Sequence, residues 1–282
     1  MEKKQQIAFI GAGSMAEAII AGMLQQKLFN PEQIIVTNRS NEQRLQELHN
    51  NYGVQVTHNK QEAMQHADIL VLAIKPKDVT EGINEIAPFT NKSQLIISVL
   101  AGVSTDTLRH LFDQDLAIVR AMPNTSAAIG KSATALALGE FATDNHLNLV
   151  RELFETVGLV SIVEEGALHA VTGLSGSGPA YVYYLVEAME KAAAEIGLEQ
   201  EVAKDLILQT IIGAAEMLKS SPKHPSVLRK EVTSPGGTTE AGIKVLESYH
   251  YQEAMISCIK QAAKRSNEMG ESLEAFVHTK KA

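Results

Sequence analysis

The sequence predicts an α/β protein in which a mostly parallel, doubly wound sheet comes first and an all-helical region follows. Over the first 163 residues, short apolar runs alternate with helical patterns, which is typical of consecutive β-α-β units. From residue 164 onward only helical patterns occur, and they are interrupted by glycine and proline. We therefore predict a sheet domain over residues 1–163 and a helical domain over residues 164–282.

The composition restricts the class of protein and its partners. With 45% hydrophobic and 21% charged residues among 282, the chain has the profile of a soluble globular protein that is long enough for two domains. The net charge of −8 argues against a nucleic-acid partner, which would require a basic surface. Cys258 is the single cysteine and the histidines are scattered without an HExxH pattern, so neither a disulfide nor a metal site is predicted.

The sequence also predicts neither a secretion signal nor a membrane segment. The opening residues MEKKQQ lead directly into a strand and contain no apolar signal-peptide core. The longest uncharged segment, residues 167–186, carries glycines and a proline midway, which disfavours a spanning helix. We therefore expect a cytoplasmic protein that does not bind membranes.

The first predicted strand and helix carry the pattern of a dinucleotide-binding turn. The apolar run at residues 7–10 is followed by Gly11, Gly13 and Ala16, which form a GxGxxA pattern. Gly11 permits a sharp bend, Gly13 lets the backbone approach a pyrophosphate, and Ala16 lets the helix pack close to the strand. Glycines also make ordinary turns, but here a strand precedes them and an amphipathic helix follows. We therefore predict a Rossmann-type domain.

The second predicted strand, residues 33–37, ends in Asn38, Arg39 and Ser40. An NAD-binding domain usually places Asp or Glu at this position to bind the adenosine ribose, whereas a 2′-phosphate requires hydrogen-bond donors and positive charge. These three residues supply donors and a charge, and none is a carboxylate. We therefore predict NADP with NADPH preferred, while NADH remains possible. The alternative is that Arg39 is only a solvent-exposed loop charge.

Later strand ends extend the predicted cofactor site. Strands are predicted at residues 54–56, 68–74, 95–99, 116–120, 133–138 and 159–163. Lys75 and Pro76 follow one of them, at the edge where parallel strands present cofactor-facing loops. Lys75 is equally compatible with a surface lysine. The loop at residues 122–125 follows another strand and is expected near the reacting end of the cofactor.

The helical half predicts self-association. Its main helices are expected at residues 179–196, 200–219, 240–246 and 251–277. The helix at 200–219 is apolar nearly all round, and one domain of about 120 residues cannot cover every face of it. A second subunit is the expected cover.

Two glycine-rich stretches in the helical half are candidate anion sites. They are TGLSGSGPAY at residues 172–181 and TSPGGTT at residues 233–239. Both place hydroxyls and bare backbone at a predicted helix start, where a substrate carboxylate would find aligned N–H groups without an arginine. In the second stretch the hydroxyls come from Ser234, Thr238 and Thr239. The alternative is that both stretches are simple helix caps.

The sequence contains no GxSxG nucleophile motif, so the chemistry is expected to come from the cofactor. The chain contains the segments FIGAGSMAEAI, VLAIKP, VTGLSGSGPAYVY and TSPGGTT. On these segments, nearly the whole chain resembles the pyrroline-5-carboxylate reductase family. The resemblance implies NAD(P)H-dependent reduction of a cyclic imine to L-proline. It also implies helical domains that interlock into homodimers, which can assemble into larger rings.

The resemblance implies the individual site residues as well. Cofactor contacts are expected from Gly11, Gly13, Ser14, Met15, Asn38, Arg39, Ser40, Asn59, Ala73, Lys75, Pro76, Leu100 and Ala101. Substrate contacts are expected from Glu165, Ser234, Gly236, Gly237, Thr238 and Thr239, with Ser234 and Thr239 as the catalytic candidates. One segment departs from the family pattern. Where some relatives have a Glu just before the His-Pro dipeptide, this chain has Ser221, Pro222 and Lys223.

The implied mechanism requires little side-chain chemistry. A protonated imine is already electrophilic, so hydride can add directly once the two partners are oriented. The substrate carboxylate is expected in the TSPGGTT turn and the Thr239 hydroxyl near the ring nitrogen. The alternatives are a β-hydroxyacid dehydrogenase, for which Lys191 and Lys204 lack a supporting motif, and a cofactor-binding sensor or scaffold without turnover.

Overall fold

The computed structural model describes residues 5–280, with side chains described as far as Val277. Within this range the strands span Ile7–Ile10 (β1), Ile34–Thr37 (β2), Gln55–Thr57 (β3), Ile69–Leu72 (β4), Leu95–Ser98 (β5), Ala117–Met122 (β6), Ser132–Leu138 (β7) and Gly158–Ile162 (β8). They form one sheet in the order β3-β2-β1-β4-β5-β6-β7-β8. All neighbouring pairs are parallel except β6 and β7, which are antiparallel. The predicted mostly parallel sheet is thereby confirmed.

The helices alternate with these strands and then continue alone. They span Ser14–Gln25 (α1), Glu42–Tyr52 (α2), Lys60–Gln65 (α3), Val79–Ile86 (α4), Thr105–Phe112 (α5), Asp144–Glu155 (α6), Leu168–Val171 (α7), Gly178–Glu195 (α8), Gln200–Ser220 (α9), Pro225–Glu231 (α10), Thr238–Ser248 (α11) and Tyr251–Lys280 (α12). Beyond β8 the described part of the chain contains only helices and turns, as predicted.

The central strands of the sheet are buried on both faces. Every residue of β1, β4 and β5 is buried, which explains why these strands are apolar without alternation. Ile7 and Phe9 of β1 pack into a cluster with apolar residues of α1 and α6. Ala8 and Ile10 face the opposite cluster, which holds residues of α3, α4 and α5. Helices therefore cover both faces, as in a doubly wound fold.

The chain divides into two compact units. One comprises the residues up to Pro179 together with those from Lys260 onward, and it contains the whole sheet. The other comprises Ala180–Ile259 and contains α8 to α11 and the start of α12. The C-terminal part of α12 thus packs with the sheet. Among the described residues, no helix combines the length and the apolar character needed to cross a membrane.

The first glycine-rich stretch of the helical half joins two helices, as predicted, but it does so through a wider helical turn. Thr172–Gly176 forms a π-helical turn that connects α7 to α8. The Thr172 hydroxyl donates to the carbonyl of Leu168 at 2.7 Å, and the Ser175 hydroxyl donates to that of Val171 at 3.2 Å. Both hydroxyls therefore bond to carbonyls of the preceding helical turn, a common arrangement for Ser and Thr inside helices.

Candidate functional site

The glycine-rich turn after β1 is a tight backbone crossing. Gly11 has φ +111°, and its N–H donates to the carbonyl of Thr37 at the end of β2, at 2.8 Å. A Cβ at this position would overlap the backbone of Ala73, which follows β4. The turn is thus wedged between the ends of β2 and β4, and only glycine fits there.

The start of α1 is open for an anion. Gly13 is the N-cap residue and no side chain caps the helix, so the first-turn N–H groups, which include those of Ser14 and Met15, have no side-chain acceptor. A Cβ on Gly13 would meet no atom within 4 Å. Residues Ile10–Gly13 line a cavity of about 280 Å³ that continues along the ends of β2 and β4. The backbone and the helix dipole therefore fit a pyrophosphate.

Arg44 of α2 supports this turn from behind, and sequence reasoning missed it. Its Nε donates to the carbonyl of Ala12 at 2.9 Å, and its Nη2 lies 2.5 Å from Glu17 of α1. The hydrogen bond to Glu17 raises the pKa of Arg44, although burial opposes the rise. Tyr52 also donates to Glu17, at 3.1 Å. This network holds α1 and α2 together around the turn, and it joins residues too distant in sequence to form a motif.

The end of β2 presents Arg39 to the cavity. Its Nη2 forms an ion pair with Glu81 of α4 at 3.0 Å, and the two side chains are 68% and 55% exposed. Asn38 closes the loop by exchanging two hydrogen bonds with the backbone of Asn41. Ser40 is exposed. Of the three predicted residues, Arg39 therefore supplies the charge, while the Asn38 amide shapes the loop.

Lys60 provides a second cation that the sequence prediction did not include. It lines the same cavity as Arg39 and pairs with Glu85 of α4. Burial lowers the pKa of Lys60, and the nearby positive charge of Arg39 lowers it further. Its neighbour Asn59, a predicted cofactor contact, caps α3 by accepting the Glu62 N–H at 3.3 Å. No local sequence pattern identifies Lys60, because it reaches the cavity through the placement of α3 beside the end of β2.

The loops after β4 and β5 continue the cofactor edge. Ala73 and Lys75 line the cavity beside Gly11. Pro76 and Ala101 line a neighbouring cavity of about 690 Å³, while Leu100 is buried at 2% exposure. Most of the predicted cofactor residues therefore lie along the carboxyl ends of β1, β2, β4 and β5, with Asn59 after β3, and the strand order reverses between β1 and β4.

Glu165 is engaged by groups of the protein itself. Its carboxylate accepts the Thr105 N–H at 2.7 Å and the Thr105 hydroxyl at 2.6 Å. It also pairs with Arg120 at 3.0 Å, whose side chain is 4% exposed. Burial lowers the pKa of Arg120 and the bond to Glu165 opposes that shift. These bonds hold the Glu165 carboxylate within the protein. A contact between Glu165 and the substrate stays a prediction.

The TSPGGTT turn lies in the second compact unit and opens α11. Gly236 has φ +72° and its N–H donates to Glu240 at 2.9 Å. Gly237 is the N-cap residue, without a side-chain cap, and its N–H donates to the carbonyl of Ser234 at 3.0 Å. Ser234, Thr238 and Thr239 are exposed. The turn thus presents hydroxyls and an uncapped helix start together.

Thr239 does not cap α11. A capping threonine precedes the helix, whereas Thr239 is the second residue of α11 and Gly237 occupies the N-cap position. Its hydroxyl is therefore not needed to start the helix.

In the segment that departs from some relatives, Lys223 pairs with Glu231 at 2.6 Å. Among the described side chains, no group of three or more His, Cys, Asp or Glu residues is arranged to hold a metal ion.

Known proteins resemble this chain over nearly its whole length. The family model for pyrroline-5-carboxylate reductase dimerisation matches residues 165–269, and the model for NADP oxidoreductase coenzyme F420-dependent matches residues 6–102. Pyrroline-5-carboxylate reductase 2 of Bacillus subtilis is 53% identical over 95% of this chain and 96% of its own. Pyrroline-5-carboxylate reductase of Arabidopsis thaliana is 38% identical over 95% of this chain and 96% of its own.

Solved structures give the same result. Pyrroline carboxylate reductase of Plasmodium falciparum with NADP bound superposes with a TM-score of 0.87 at 28% identity, covering 95% of this chain and 98% of that one. Pyrroline-5-carboxylate reductase of Coxiella burnetii superposes with a TM-score of 0.84 at 37% identity, covering 95% and 99%. On the sheet topology, the open glycine turn and these matches, the chain belongs to the pyrroline-5-carboxylate reductase family.

Proposed function

We propose that the protein reduces 1-pyrroline-5-carboxylate to L-proline with NADPH, the last step of proline biosynthesis. The observation that carries the proposal is the cavity at the ends of β1, β2 and β4, where an uncapped helix start lies close to two cations, Arg39 and Lys60. The family membership adds the substrate class, because the relatives are pyrroline-5-carboxylate reductases. Residues 1–163 bind the cofactor in this proposal, and residues 164–282 bind substrate and form the dimer.

In this proposal NADPH lies across the carboxyl ends of β2, β1, β4 and β5. The N–H groups at Gly13, Ser14 and Met15 would hold the pyrophosphate, because they lack a side-chain acceptor and point along the helix dipole. Arg39 and Lys60 would hold the 2′-phosphate by charge-assisted hydrogen bonds. The remaining cofactor contacts in the proposal are Asn38, Ser40, Asn59, Ala73, Lys75, Pro76, Leu100 and Ala101. When bound, NADPH supplies the hydride.

The TSPGGTT turn is the proposed substrate anchor. The N–H of Gly237 already donates to Ser234, so the carboxylate would be held by the following N–H groups of α11 and by the hydroxyls of Ser234 and Thr238. The exposed Thr239 hydroxyl would face the ring nitrogen and bind it as it changes from planar imine to amine. No strong acid is required, because the protonated imine is already electrophilic.

The proposed assembly is a homodimer built from the helical half. Its support is the match of residues 165–269 to the dimerisation model and the exposure of large apolar residues on α9. On α9 these include Leu206, Leu208, Ile212, Met217 and Leu218. Such a surface would be an unusually large apolar patch on a monomer. Association of dimers into a larger ring and a cytoplasmic location belong to the same proposal.

A substrate comparison tests the function. The purified protein should consume NADPH with 1-pyrroline-5-carboxylate and form proline, and it should not oxidise β-hydroxyacids with NADP. Activity with hydroxyacids alone would favour the β-hydroxyacid dehydrogenase alternative. NADPH binding without turnover of either substrate would favour a sensor or scaffold.

Substitution of Thr239 tests the substrate half of the site. Because Thr239 is not the N-cap of α11, Thr239→Ala should leave the melting temperature nearly unchanged. If the hydroxyl binds the ring nitrogen in the transition state, turnover should fall at least about tenfold, a barrier change of roughly 1.4 kcal/mol or more. NADPH affinity should stay constant. Undiminished turnover would remove Thr239 from the proposed catalytic residues, and Thr238→Ala serves as the neighbouring comparison for carboxylate binding.

A further inference from the structure

The turn between β5 and α5, residues 99–104, occupies a central position on the cofactor edge. β5 pairs with β4 so that Leu72 and Ser98 lie side by side at the carboxyl ends of the two strands. The strand order reverses between β1 and β4, and the adenosine end of a dinucleotide lies toward β2. The other half of the cofactor must then cross the ends of β4 and β5. Ala101 and Gly102 lie in the turn at that point.

Helix α12 closes against this turn without space for a side chain. A Cβ on Gly270 would lie 2.5 Å from the carbonyl oxygen of Gly102, far inside van der Waals contact. Gly102 has φ +78°, and a Cβ there would lie 3.1 Å from the carbonyl oxygen of Ser266. The two backbones therefore touch through a pair of glycines. Gly270 lies in the interior of α12, where glycine costs helix stability, so the contact is the structural reason for it.

Two further bonds fix the same region. On the side of the turn that leads into α5, Glu165 holds the Thr105 backbone and hydroxyl at 2.7 and 2.6 Å. Ser266 lies on α12, one turn of helix before Gly270. Its buried hydroxyl lies 3.0 Å from Nδ1 of His169 in α7. The segment 165–169 thus contacts the turn and α12 together. All of these residues belong to the compact unit that contains the sheet.

We propose that Gly270 is a positioning residue for the reduction: by letting α12 meet Gly102 backbone to backbone, it sets the height of the 99–104 turn under the nicotinamide half of the cofactor. Glu165 sets the other end of the turn through Thr105. The inference rests on the proposed function for the identity of the cofactor. It adds that the C-terminal helix, distant in sequence from the glycine-rich turn, determines how the reacting half of NADPH is held.

The test separates the two halves of the cofactor. Gly270→Ala would push the Gly102 carbonyl outward by about an ångström, and displacements of that size can cost up to about 100-fold in rate. We expect NADPH to bind at least about fivefold more weakly and kcat at saturating NADPH to fall at least about tenfold. Adenosine 2′,5′-bisphosphate, which carries only the adenosine half, should bind as tightly as to the unsubstituted protein. NADPH fluorescence and competition by the bisphosphate measure both affinities.

Three further variants keep the test decisive. Lys264→Ala changes an exposed side chain of the same helix and should alter neither affinity. Thr105→Val removes the hydroxyl bonded to Glu165 and should reproduce the split between NADPH and the bisphosphate, whereas Thr105→Ser should restore NADPH binding. If Gly270→Ala does not fold, the Thr105 pair decides whether the 99–104 turn positions the nicotinamide half of the cofactor, and without such an effect the role of Gly270 falls as well.

The results that overturn the inference are distinct from those that overturn the proposed function. Unchanged NADPH affinity and kcat in Gly270→Ala, or equal weakening of NADPH and the bisphosphate, would show that the contact is merely structural. Thr105→Val without effect would remove the role of Glu165. An unsubstituted protein that binds NADPH but does not reduce pyrroline-5-carboxylate would refute the proposed function, and the binding measurements would still decide the role of Gly270.

Discussion

The ion pair between Arg39 and Glu81 leads to the sharpest prediction about cofactor choice. The guanidinium that we assign to the 2′-phosphate is bonded to the Glu81 carboxylate at 3.0 Å. A 2′-phosphate has to displace that carboxylate, and it also meets the negative charge of Glu81 in the same cavity. Glu81 therefore competes with the cofactor. Glu81→Gln keeps the size of the side chain while it removes the charge.

The magnitude follows from the exposure of the pair. With side chains 68% and 55% exposed, the ion pair belongs to the surface class, which contributes roughly 0.2–1 kcal/mol. Release of Arg39 from this pair should therefore tighten NADPH binding by a factor of about 1.4 to 5. NADH has no phosphate at this position, so its affinity should not change. The effect should also shrink at high salt, because exposed charges are screened.

A double-mutant cycle measures this competition. Dissociation constants for NADPH and NADH are compared in the unsubstituted protein, Glu81→Gln, Arg39→Ala and the double variant. If Glu81 acts by holding Arg39, Glu81→Gln should have no effect once Arg39 is alanine. Unchanged NADPH affinity in Glu81→Gln, or equal gains for both cofactors, would refute the reasoning.

Three other predictions follow from the same structure. Arg39→Ala should weaken NADPH binding by roughly 1.5–3 kcal/mol, about 10- to 150-fold, and leave NADH binding nearly unchanged, whereas equal losses would place Arg39 outside the phosphate site. Analytical ultracentrifugation at micromolar protein should detect at least a dimer, and a stable monomer of 30.5 kDa would contradict the assembly. Burial, reinforced by Arg120 and opposed by Glu165 and Glu271, lowers the pKa of His169 below 6.5. The folded state therefore binds fewer protons there than the unfolded state, so the melting temperature should drop as the pH falls below about 6.5, and less so in His169→Gln.

The fold was predictable because its signals are local. The buried strands β1, β4 and β5 are continuous apolar runs, and their predicted bounds differ from the observed ones by at most two residues. The glycine-rich turn was predictable for the same reason, since the close approach of Ala73 to Gly11 requires glycine at a fixed place after β1. The helices α4 and α10 were not predicted. Both are short, and α4 follows a 3₁₀ turn at Pro76–Asp78 that obscures its start.

The rest of the cofactor site was not predictable because it is made by pairs distant in sequence. Arg44 supports the Ala12 carbonyl from 32 residues away, and Arg39 meets Glu81 across 42 residues. Lys60 belongs to the site only because α3 begins beside the end of β2. A pattern within one stretch of sequence contains no information about these distances. The sheet topology supplies it, since it places the ends of β2 and β4 on either side of β1.

Glu165 has a predicted contact with the substrate and observed contacts with Thr105 and Arg120, and different substitutions are needed to test each. The Arg120 side chain is 4% exposed, and the structure pairs its guanidinium with Glu165. Removing the carboxylate would leave a buried charge without that partner, which typically costs about 3–5 kcal/mol. Lost activity in Glu165→Ala would therefore report the disruption of this network rather than a missing substrate contact. Glu165→Gln keeps an amide oxygen that can accept from Thr105 or Arg120, so it disturbs the network less than alanine does, and its comparison with Thr105→Val isolates the hydrogen bond that holds the 99–104 turn. A direct substrate contact would instead raise the KM for pyrroline-5-carboxylate in Glu165→Gln and leave it unchanged in Thr105→Val.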